Sequence, residues 1–301
     1  MRTAPLLAVV SLAVVVTSSP AQERRRAPKM TDAPVQTAEV VYKKTPQGEL
    51  KLHLYRPADW KASDKRPAIV FFFGGGWQNG SHLQFTSQAE YFASRGLVCA
   101  TADYRVANQH HTTPDACIED AKSALRYVRG HAAELGVDPD RLVAAGGSAG
   151  GHLAAAAAMV PGFDAAGETP SVSCKPNALI LFNPALDVPG RPVKDASGQD
   201  VADRFWPNKF VAKDAPPAII FFGTEDRLGA GGKEYLAKAK KLGARAELVM
   251  AAGQGHGFFN RAPYAQLTVR EADRFLTSLG YLNGEPTVKV PANAPSLKRE
   301  E

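Results

Sequence analysis

Cysteine is scarce in this chain, with three residues, Cys99, Cys117 and Cys174, among 301. An odd number of cysteines permits at most one disulfide, and their spacing matches no metal-binding pattern. Cys99 lies in an apolar run and is expected to be a buried core residue. Cys117 and Cys174 can pair only if the fold brings them together. The fold therefore does not depend on a disulfide framework.

Long apolar runs are also missing beyond the N-terminus, where no stretch reaches the roughly 20 residues that span a bilayer. The N-terminal run Leu6–Val16 is shorter than that, follows the basic Arg2 and precedes the small residues Ser19 and Ala21. Residues 1–21 are therefore predicted to be a secretory signal cleaved after Ala21 rather than an uncleaved anchor. We expect a secreted or periplasmic protein without stable membrane insertion.

A basic surface of the kind that binds nucleic acid is lacking as well. The formal net charge is +6 with a pI of about 9.2, but five basic residues and one acid lie within residues 1–30. Residues 31–301 hold 31 basic and 29 acidic side chains, a net charge of +2. No nucleic-acid partner is expected. Composition, at 45% hydrophobic and 22% charged residues, is that of a folded globular protein.

Short, continuous apolar runs alternate with segments of helical periodicity from Pro67 onward, which is typical of a parallel sheet covered on both faces. The predicted strands are Ala68–Phe73, Leu97–Ala102, Leu142–Ala145, Ala178–Phe182, Ala218–Phe222 and Ala246–Ala251. The predicted helices are Leu83–Ser94, Pro114–Glu134, Gly150–Val160, Lys233–Leu242 and Tyr264–Leu279. Before them, Ala38–Lys44 and Glu49–Tyr55 alternate apolar and polar residues around a turn and predict an antiparallel hairpin.

These elements predict one α/β domain over residues 36–284, with a mostly parallel central sheet, an antiparallel N-terminal start and helices on both faces. Residues 22–35 are rich in Arg, Pro and Ala and are expected to form a flexible leader. Residues 187–214 are irregular and polar and are interpreted as a small cap or insertion over the sheet edge. Residues 285–301 are expected to be a flexible tail.

The strongest local motif is Gly146-Gly147-Ser148-Ala149-Gly150, a G-x-S-x-G between a predicted strand and a predicted helix. In that context the motif is typical of a nucleophile elbow, where small neighbours let a sharp turn expose the serine hydroxyl. The alternative is a glycine turn that only packs the helix on the sheet. The strand before it and the helix after it favour Ser148 as a nucleophile.

A serine nucleophile needs a base and an orienting acid, and both residue types follow at strand ends in the order Ser, Asp, His. Asp226 comes just after the strand Ala218–Phe222, 78 residues after Ser148, and His256 follows the last strand, a further 30 residues on. Glu225 and Asp187 are the weaker candidates for the acid. Among the remaining histidines, His152 is more simply a packed helix residue, and His110 and His111 are solvated loop residues or part of a substrate rim. The sequence identifies no partner for His53, His82 and His131.

The tetrahedral oxyanion of acyl transfer requires fixed N–H donors, which a glycine turn supplies without side-chain bulk. Gly74-Gly75-Gly76-Trp77 ends the first predicted parallel strand. We therefore expect the backbone amides of Gly75, Gly76 and Ala149 to form the oxyanion hole. No Lys-Ser or Lys-Thr follows the turn, which speaks against phosphate binding.

Together with Asp103-Tyr104-Arg105 and Asp138-Pro139-Asp140-Arg141, these motifs resemble the α/β-hydrolase superfamily over about residues 36–284. The chain is similar to hormone-sensitive-lipase-type esterases and to acetylxylan and feruloyl esterase-like (BD-FAE-like) proteins. The resemblance implies Ser148 as nucleophile, His256 as base and acid, and Asp226 as its orienter. One departure is Phe73, where the family usually has His, which leaves the support of the oxyanion turn and the subfamily open.

Together with the predicted secretory signal, the resemblance implies a secreted serine carboxylesterase that hydrolyses short-chain or carbohydrate-borne acetyl or feruloyl esters, with a small-molecule or polysaccharide substrate. This chemistry needs no metal and no organic cofactor. Candidate pocket aromatics are Trp77, Phe205, Trp206 and Phe258, each of which could equally be a core residue. A serine peptidase of the same fold and a non-catalytic carbohydrate-binding member remain alternatives.

Overall fold

The computed structural model describes residues 27–168 and 171–300. The predicted secretory signal lies outside the described residues, so it stays a prediction. In the described part, nine strands form one sheet: β1 Val35–Thr45, β2 Gly48–Pro57, β3 Arg66–Phe72, β4 Val98–Ala102, β5 Val137–Gly147, β6 Ala178–Phe182, β7 Ala218–Gly223, β8 Ala246–Ala251 and β9 Lys298–Glu300.

Helices fill most of the connections between these strands. They are α1 Thr86–Ser94, α2 Ala107–His110, α3 Pro114–Gly130, α4 Ala132–Leu135, α5 Ala149–Met159, α6 Gly229–Leu242 and α7 Tyr264–Ser278. Within the described ranges, no helix is both long and apolar enough to cross a membrane.

The strand order is β1-β2-β4-β3-β5-β6-β7-β8-β9. The pairs from β4 through β8 are parallel, whereas β1-β2, β2-β4 and β8-β9 are antiparallel. This confirms the predicted α/β fold with an antiparallel start. The carboxyl ends of β5, β7 and β8 lie at one edge of the sheet, where open parallel sheets place their ligands.

The core has two layers because side chains alternate between the faces of each strand. On β3, Val70 and Phe72 pack with helices α3, α5 and α6, whereas Ile69 and Phe71 pack with α1 and α7. Both faces of the central strands are therefore apolar and covered. This is why the sequence shows continuous apolar runs there rather than alternation.

The insertion 187–214 is anchored to the domain rather than loosely laid over it. It contains two 3-10 turns, Ala202–Arg204 and Pro207–Phe210. Asn208 is 1% exposed, and its Nδ2 donates to the carbonyl of Gly231 at 2.9 Å. Lys238 Nζ donates to the carbonyl of Asn208 at 2.8 Å. These bonds fix the insertion on the start of α6.

The C-terminal segment differs from the expected flexible tail. Its last residues form β9, which pairs with β8 at Leu248–Met250. Val288 is buried, and the backbone N–H groups of Thr287 and Val288 donate to the hydroxyl of Tyr91. The charges and prolines of this segment predicted a flexible tail. Backbone hydrogen bonds hold the segment in place instead, and composition alone does not predict such bonds.

The predicted leader 22–35 is also partly ordered where the structure describes it. Ala27 and Met30 are buried, and the hydroxyl of Ser87 donates to the Ala27 carbonyl at 2.8 Å. Among the cysteines, Cys117 and Cys174 do not pair: their thiols donate to the carbonyls of Arg105 and Ala157, respectively. Cys99 is fully buried, as its apolar run predicts.

Candidate active site

The G-x-S-x-G motif forms the turn between β5 and α5. Ser148 has φ 53° and ψ −115°, a left-handed backbone that non-glycine residues rarely adopt. A Cβ at Gly146 would lie 2.4 Å from Gly150, and a Cβ at Gly150 would lie 2.0 Å from the carbonyl of Phe72. Glycine is required at both positions because the turn is packed backbone to backbone. The result is a strained, tightly supported serine at the strand end.

Two further side chains reach this serine from the ends of β7 and β8. His256 Nε2 lies 2.9 Å from Ser148 Oγ, and His256 Nδ1 lies 2.8 Å from Asp226 Oδ2. The side chain of His256 is 43% exposed, while that of Asp226 is 1% exposed. Asp226, His256 and Ser148, which the sequence order predicts to act together, thus form one hydrogen-bonded chain. It runs from a buried carboxylate to the serine hydroxyl.

The surroundings of Asp226 hold its carboxylate in the ionised form. Burial raises the pKa of Asp226, but hydrogen bonds from His256, from the Leu228 N–H and from Asn183 Nδ2, together with the His256 charge, bring it below its ordinary value. Asn183 also accepts from the Gly257 N–H at 3.3 Å. Sequence reasoning missed Asn183, whose only signal is its place directly after β6.

The glycine turn after β3 lies against the serine. A Cβ at Gly74 would be 2.9 Å from the carbonyl of Gly147 and 3.3 Å from Ser148 Cβ. Gly75 and Gly76 have φ of +142° and +65° and line the same cavity as Ser148. Ala149 is the first residue of α5, so its N–H is among those that a helix leaves unpaired. The structure thus places Gly75 and Gly76 along the cavity that Ser148 lines, and Ala149 directly after the serine.

A bridge of two amide side chains supports this turn and was not anticipated from the sequence. The Gly74 N–H donates to Gln84 Oε1 at 2.6 Å, and Gln84 Nε2 donates to Asn260 Oδ1 at 3.2 Å. Asn260 Nδ2 donates in turn to the Gly257 carbonyl at 3.1 Å. The bridge links the turn of the oxyanion donors to the turn that carries His256. No local motif marks it, because its members are far apart in sequence.

Phe73, which stands where the resembling family usually has His, is a packing residue. Its ring stacks on Tyr104 with centroids 4.0 Å apart, and the Tyr104 hydroxyl donates to the Phe73 carbonyl at 2.7 Å. A Cβ at Gly80 would lie 2.3 Å from the Phe73 ring. The strand end is therefore fixed by Tyr104 and by the Gln84 bridge.

An open cavity of about 780 Å³ surrounds the serine and the histidine, within the range of small-molecule sites. Its walls are mainly polar or small, with Phe259 as an aromatic contribution. The lining residues are Gly74, Gly75, Gly76, Asn79, Gly80, Ser81, Leu83, Gln84, Ser148, His256, Gly257, Phe259 and Asn260.

The four predicted pocket aromatics are absent from this lining in the described part of the chain, so that prediction is wrong. Trp77, Phe205 and Trp206 cluster with His152 on the core side of α5, and Phe258 packs edge-on against Tyr264. All four are at most 4% exposed. An aromatic residue near a catalytic motif can fill the core as readily as it can line a pocket, and these four residues fill the core.

The weaker candidates for base and acid lie away from the hydrogen-bonded chain. His152 is fully buried, its Nε2 lies 3.1 Å from the Phe205 carbonyl, and burial lowers its pKa to about 3 despite that hydrogen bond. It therefore stays neutral and packed. Glu225 is exposed, and Asp187 lines a separate surface cavity with Trp206.

Comparisons with known proteins agree with this geometry. The BD-FAE family model matches residues 52–181. The structure also aligns with apo esterase 2 of Thermogutta terrifontis, with a TM-score of 0.77 and 46% identity over 86% of this chain and 98% of that chain. The chain belongs to the α/β-hydrolase serine esterases of the hormone-sensitive-lipase and BD-FAE type. As a member of this family it is a carboxylic ester hydrolase.

Curated relatives of this chain are also named as esterases. Carboxylesterase NlhH of Mycobacterium tuberculosis is 29% identical over 72% of this chain and 74% of its own length. A probable isoprenylcysteine alpha-carbonyl methylesterase, ICMEL1 of Arabidopsis thaliana, is 26% identical over 72% of this chain, which spans half of that relative's length. The Thermogutta enzyme has also been solved with butyrate bound, with propionate bound and phosphorylated by paraoxon.

Proposed function

We propose that this esterase hydrolyses short-chain acyl esters, with acetyl groups borne on carbohydrate as the favoured substrate, through Ser148, His256 and Asp226. The observation that carries the mechanism is the unbroken chain of hydrogen bonds from Asp226 through His256 to the Ser148 hydroxyl, at 2.8 and 2.9 Å. The nucleophile, its base and the group that orients the base are each at contact distance.

In the first half of the reaction, Ser148 Oγ attacks the ester carbonyl while His256 Nε2 takes the hydroxyl proton. The amides of Gly75, Gly76 and Ala149 stabilise the oxyanion, and His256 returns the proton to the departing alcohol. A water molecule then attacks the acyl-enzyme, giving its proton to His256, and Ser148 leaves with that proton as the acid is released. Asp226 stabilises the imidazolium at both stages.

The cavity favours a small acyl group attached to a polar alcohol. Asn79, Ser81, Gln84 and Asn260 line it and make part of its wall polar, with Gln84 and Asn260 also bonded to each other. Its aromatic wall is Phe259, whose ring packs in a cluster with those of Phe85 and Phe182. The bound propionate and butyrate of the Thermogutta enzyme also support short acyl groups. A feruloyl group would lack the aromatic surface expected earlier from Trp77 and Trp206.

We further propose that the protein is exported, with cleavage after Ala21. This rests on the basic, apolar and small-residue order of residues 1–21. Export would place the esterase with extracellular or periplasmic polysaccharide. N-terminal sequencing of the protein from culture medium or periplasm tests it, and a mature chain that begins at Met1 would contradict it.

The decisive experiment compares Ser148→Ala with Ser197→Ala, an exposed serine in the insertion. Hydrolysis of p-nitrophenyl acetate and labelling by a fluorophosphonate probe should disappear in the first variant and persist in the second. Full hydrolysis by Ser148→Ala would overturn the mechanism, and failure to label the wild-type protein would favour a non-catalytic carbohydrate-binding role.

A substrate panel then separates the remaining alternatives. Acid release is measured from p-nitrophenyl esters of increasing acyl length, acetylated xylan and methyl ferulate. We expect acetyl and propionyl esters and acetylated xylan to be cleaved faster than methyl ferulate. Release of an N-terminal dipeptide chromophore without ester turnover would instead indicate a peptidase.

A further inference from the structure

Two histidines and an aspartate meet outside the ester site, on the outer side of the turn that forms part of the cavity wall. His53 comes from β2, Asp103 follows β4, and His82 begins the 3-10 turn His82–Phe85. One ligand atom from each lies within 4.8 Å of the other two. All three residues are partly buried, with side chains 14%, 31% and 25% exposed for His53, Asp103 and His82, respectively.

The hydrogen-bond geometry of this cluster favours a positive charge between its members, which either a second proton on His53 or a metal ion supplies. His53 faces carboxylates at both nitrogens, with Nδ1 3.0 Å from Glu39 Oε1 and Nε2 3.2 Å from Asp103 Oδ2. His82 Nδ1 faces the other Asp103 oxygen at 3.2 Å. A neutral imidazole has a single N–H, so it can donate to only one of two carboxylates, and its second nitrogen then turns a lone pair toward an anion.

The rings of His53 and His82 are stacked with centroids 3.5 Å apart. A nitrogen of each ring faces Asp103, so the potential ligand atoms converge on one carboxylate. Lys51 Nζ does not supply the missing charge at Asp103, because it lies on Glu39 Oε2 at 2.8 Å. The two carboxylates and this one lysine leave one net negative charge, which favours a cation shared by the three side chains.

The donor set selects the class of ion. Imidazole nitrogen with carboxylate oxygen suits zinc and its neighbours in the first transition row, whereas Mg²⁺ and Ca²⁺ prefer oxygen ligands throughout. Bonds of about 2.0–2.1 Å around a tetrahedral zinc place neighbouring ligand atoms about 3.3 Å apart. His53 Nε2 lies 3.2 Å from Asp103 Oδ2 and His82 Nδ1 lies 3.2 Å from Asp103 Oδ1, separations close to this spacing. Because the two rings are stacked, binding of one ion requires the partly exposed His82 ring to turn out of the stack so that its lone pair reaches the same point as that of His53.

A carboxylate that would orient the His53 ring for metal binding is already in place. Glu39 accepts from His53 Nδ1, which leaves Nε2 as the nitrogen available to a metal. Carboxylates that fix the tautomer and orientation of a metal-bound histidine in this way are usual in protein zinc sites. Glu39 lies on β1 and His53 is its cross-strand partner on β2, so the sheet register itself sets this contact.

We propose that His53, His82 and Asp103 bind a divalent transition-metal ion of the zinc class, and that the ion secures the 3-10 turn His82–Phe85 to the central sheet. Ser81, Leu83 and Gln84 of this region line the ester cavity, and Gln84 holds the Gly74 amide. The ion is structural, since the hydrolytic chemistry proceeds at Ser148 without it. Its effect on the esterase is to stiffen one wall of the cavity.

Isothermal titration of the chelator-treated full chain with Zn²⁺ tests the proposal. We expect one ion per chain. His82→Ala or Asp103→Asn should lower the affinity for Zn²⁺ by more than about 100-fold, and Glu39→Gln should lower it about 10- to 100-fold. His131→Ala is the matched control, because that ring stacks on Tyr127 and belongs to no cluster with His53. His256→Ala should also retain binding, which separates the site from the catalytic histidine.

Two spectroscopic readouts keep the test independent of ester hydrolysis. Co²⁺ in place of Zn²⁺ should give visible absorption typical of nitrogen and oxygen ligation in the wild type and in His131→Ala, but not in His82→Ala. The thermal midpoint should rise with Zn²⁺ in the same two proteins. His82→Ala is checked for folding by circular dichroism, and a folded His82→Ala that binds Zn²⁺ as the wild type does would overturn the proposal. So would the absence of stoichiometric binding to the wild type.

Discussion

The backbone N–H of Gly74 donates to Oε1 of Gln84 over 2.6 Å. This bond joins the turn after β3, which carries the proposed oxyanion donors, to the 3-10 turn His82–Phe85. Gln84 is held in turn by Asn260, which is bonded to the turn of His256. The two halves of the catalytic machinery are therefore connected through side-chain amides as well as through Ser148. Gln84 acts as a positioning residue.

Gln84→Ala should lower kcat for p-nitrophenyl acetate by about 10-fold and change KM little. Complete loss of an oxyanion donor costs about 100- to 1000-fold, and loosening the turn that holds the donors costs less. Steady-state kinetics measures the split between kcat and KM. Gln47→Ala, at an exposed hairpin turn, is the control and should match the wild type. An unchanged kcat in Gln84→Ala would show that the turn is rigid without the bridge.

Asp226→Asn should reduce kcat by about 10,000-fold with little change in KM, because an amide disfavours the His256 tautomer that can accept the serine proton. The neighbouring Glu225→Gln provides a matched carboxamide control, since Glu225 is exposed, whereas the side chain of Asp226 is buried against His256. It should keep nearly full activity. Equal losses in the two variants would mean that general electrostatics, not the contact with His256, accounts for the effect.

Most of the fold could be predicted because the buried strands have an unmistakable pattern. Ala178–Phe182 and Ala246–Ala251 match β6 and β8 to the residue. β5 is longer than predicted, because it begins at Val137 and runs through polar residues whose side chains face solvent. β9 was missed altogether, since three exposed residues at a sheet edge need no apolar pattern.

The site could be predicted only as far as local motifs reach. Ser148, Asp226 and His256 each follow a strand, so chain order and topology were enough to bring them together. Contacts between distant segments hold the site through Gln84, Asn183 and Asn260. No motif or residue spacing in the sequence predicts these contacts. The prediction of pocket aromatics was wrong for a related reason. The size and hydrophobicity of Trp206 suit a pocket and a core equally, and its packing against His152 places it in the core.

The stability of the protein should decrease between about pH 10 and pH 12 in part through Tyr91. Burial, followed by the hydrogen bond to Asp273 and the charge of that carboxylate, raises the pKa of Tyr91 to about 12. An unfolded tyrosine ionises near pH 10, so in this interval the unfolded state binds fewer protons than the folded state. The free energy of unfolding therefore falls as the pH rises, whereas below pH 10 the tyrosine contributes a constant stabilisation.

Tyr91→Phe removes this titration, so its unfolding free energy should fall less steeply than that of the wild type, by about 1 to 2 kcal/mol across the interval once solvent screening is included. Urea denaturation at several pH values gives both curves. The same variant removes the hydroxyl that receives the Thr287 and Val288 amides, so faster proteolysis of the C-terminal segment is expected at every pH. Parallel pH curves for the two proteins would contradict the assignment to Tyr91.

Gly150→Ala should destabilise the protein by about 3 kcal/mol or more, whereas Gly255→Ala should change its stability by less than about 0.5 kcal/mol. The added methyl at position 150 would lie 2.0 Å from the Phe72 carbonyl and 2.4 Å from that of Phe73, both backbone atoms that cannot turn aside. At position 255 it would meet no atom within 4 Å. Both glycines belong to catalytic motifs, so the pair separates glycine needed for close backbone approach from glycine that merely accompanies the motif. Thermal and urea unfolding provide the comparison, and similar losses in both variants would show that Gly255 also has a backbone conformation closed to alanine.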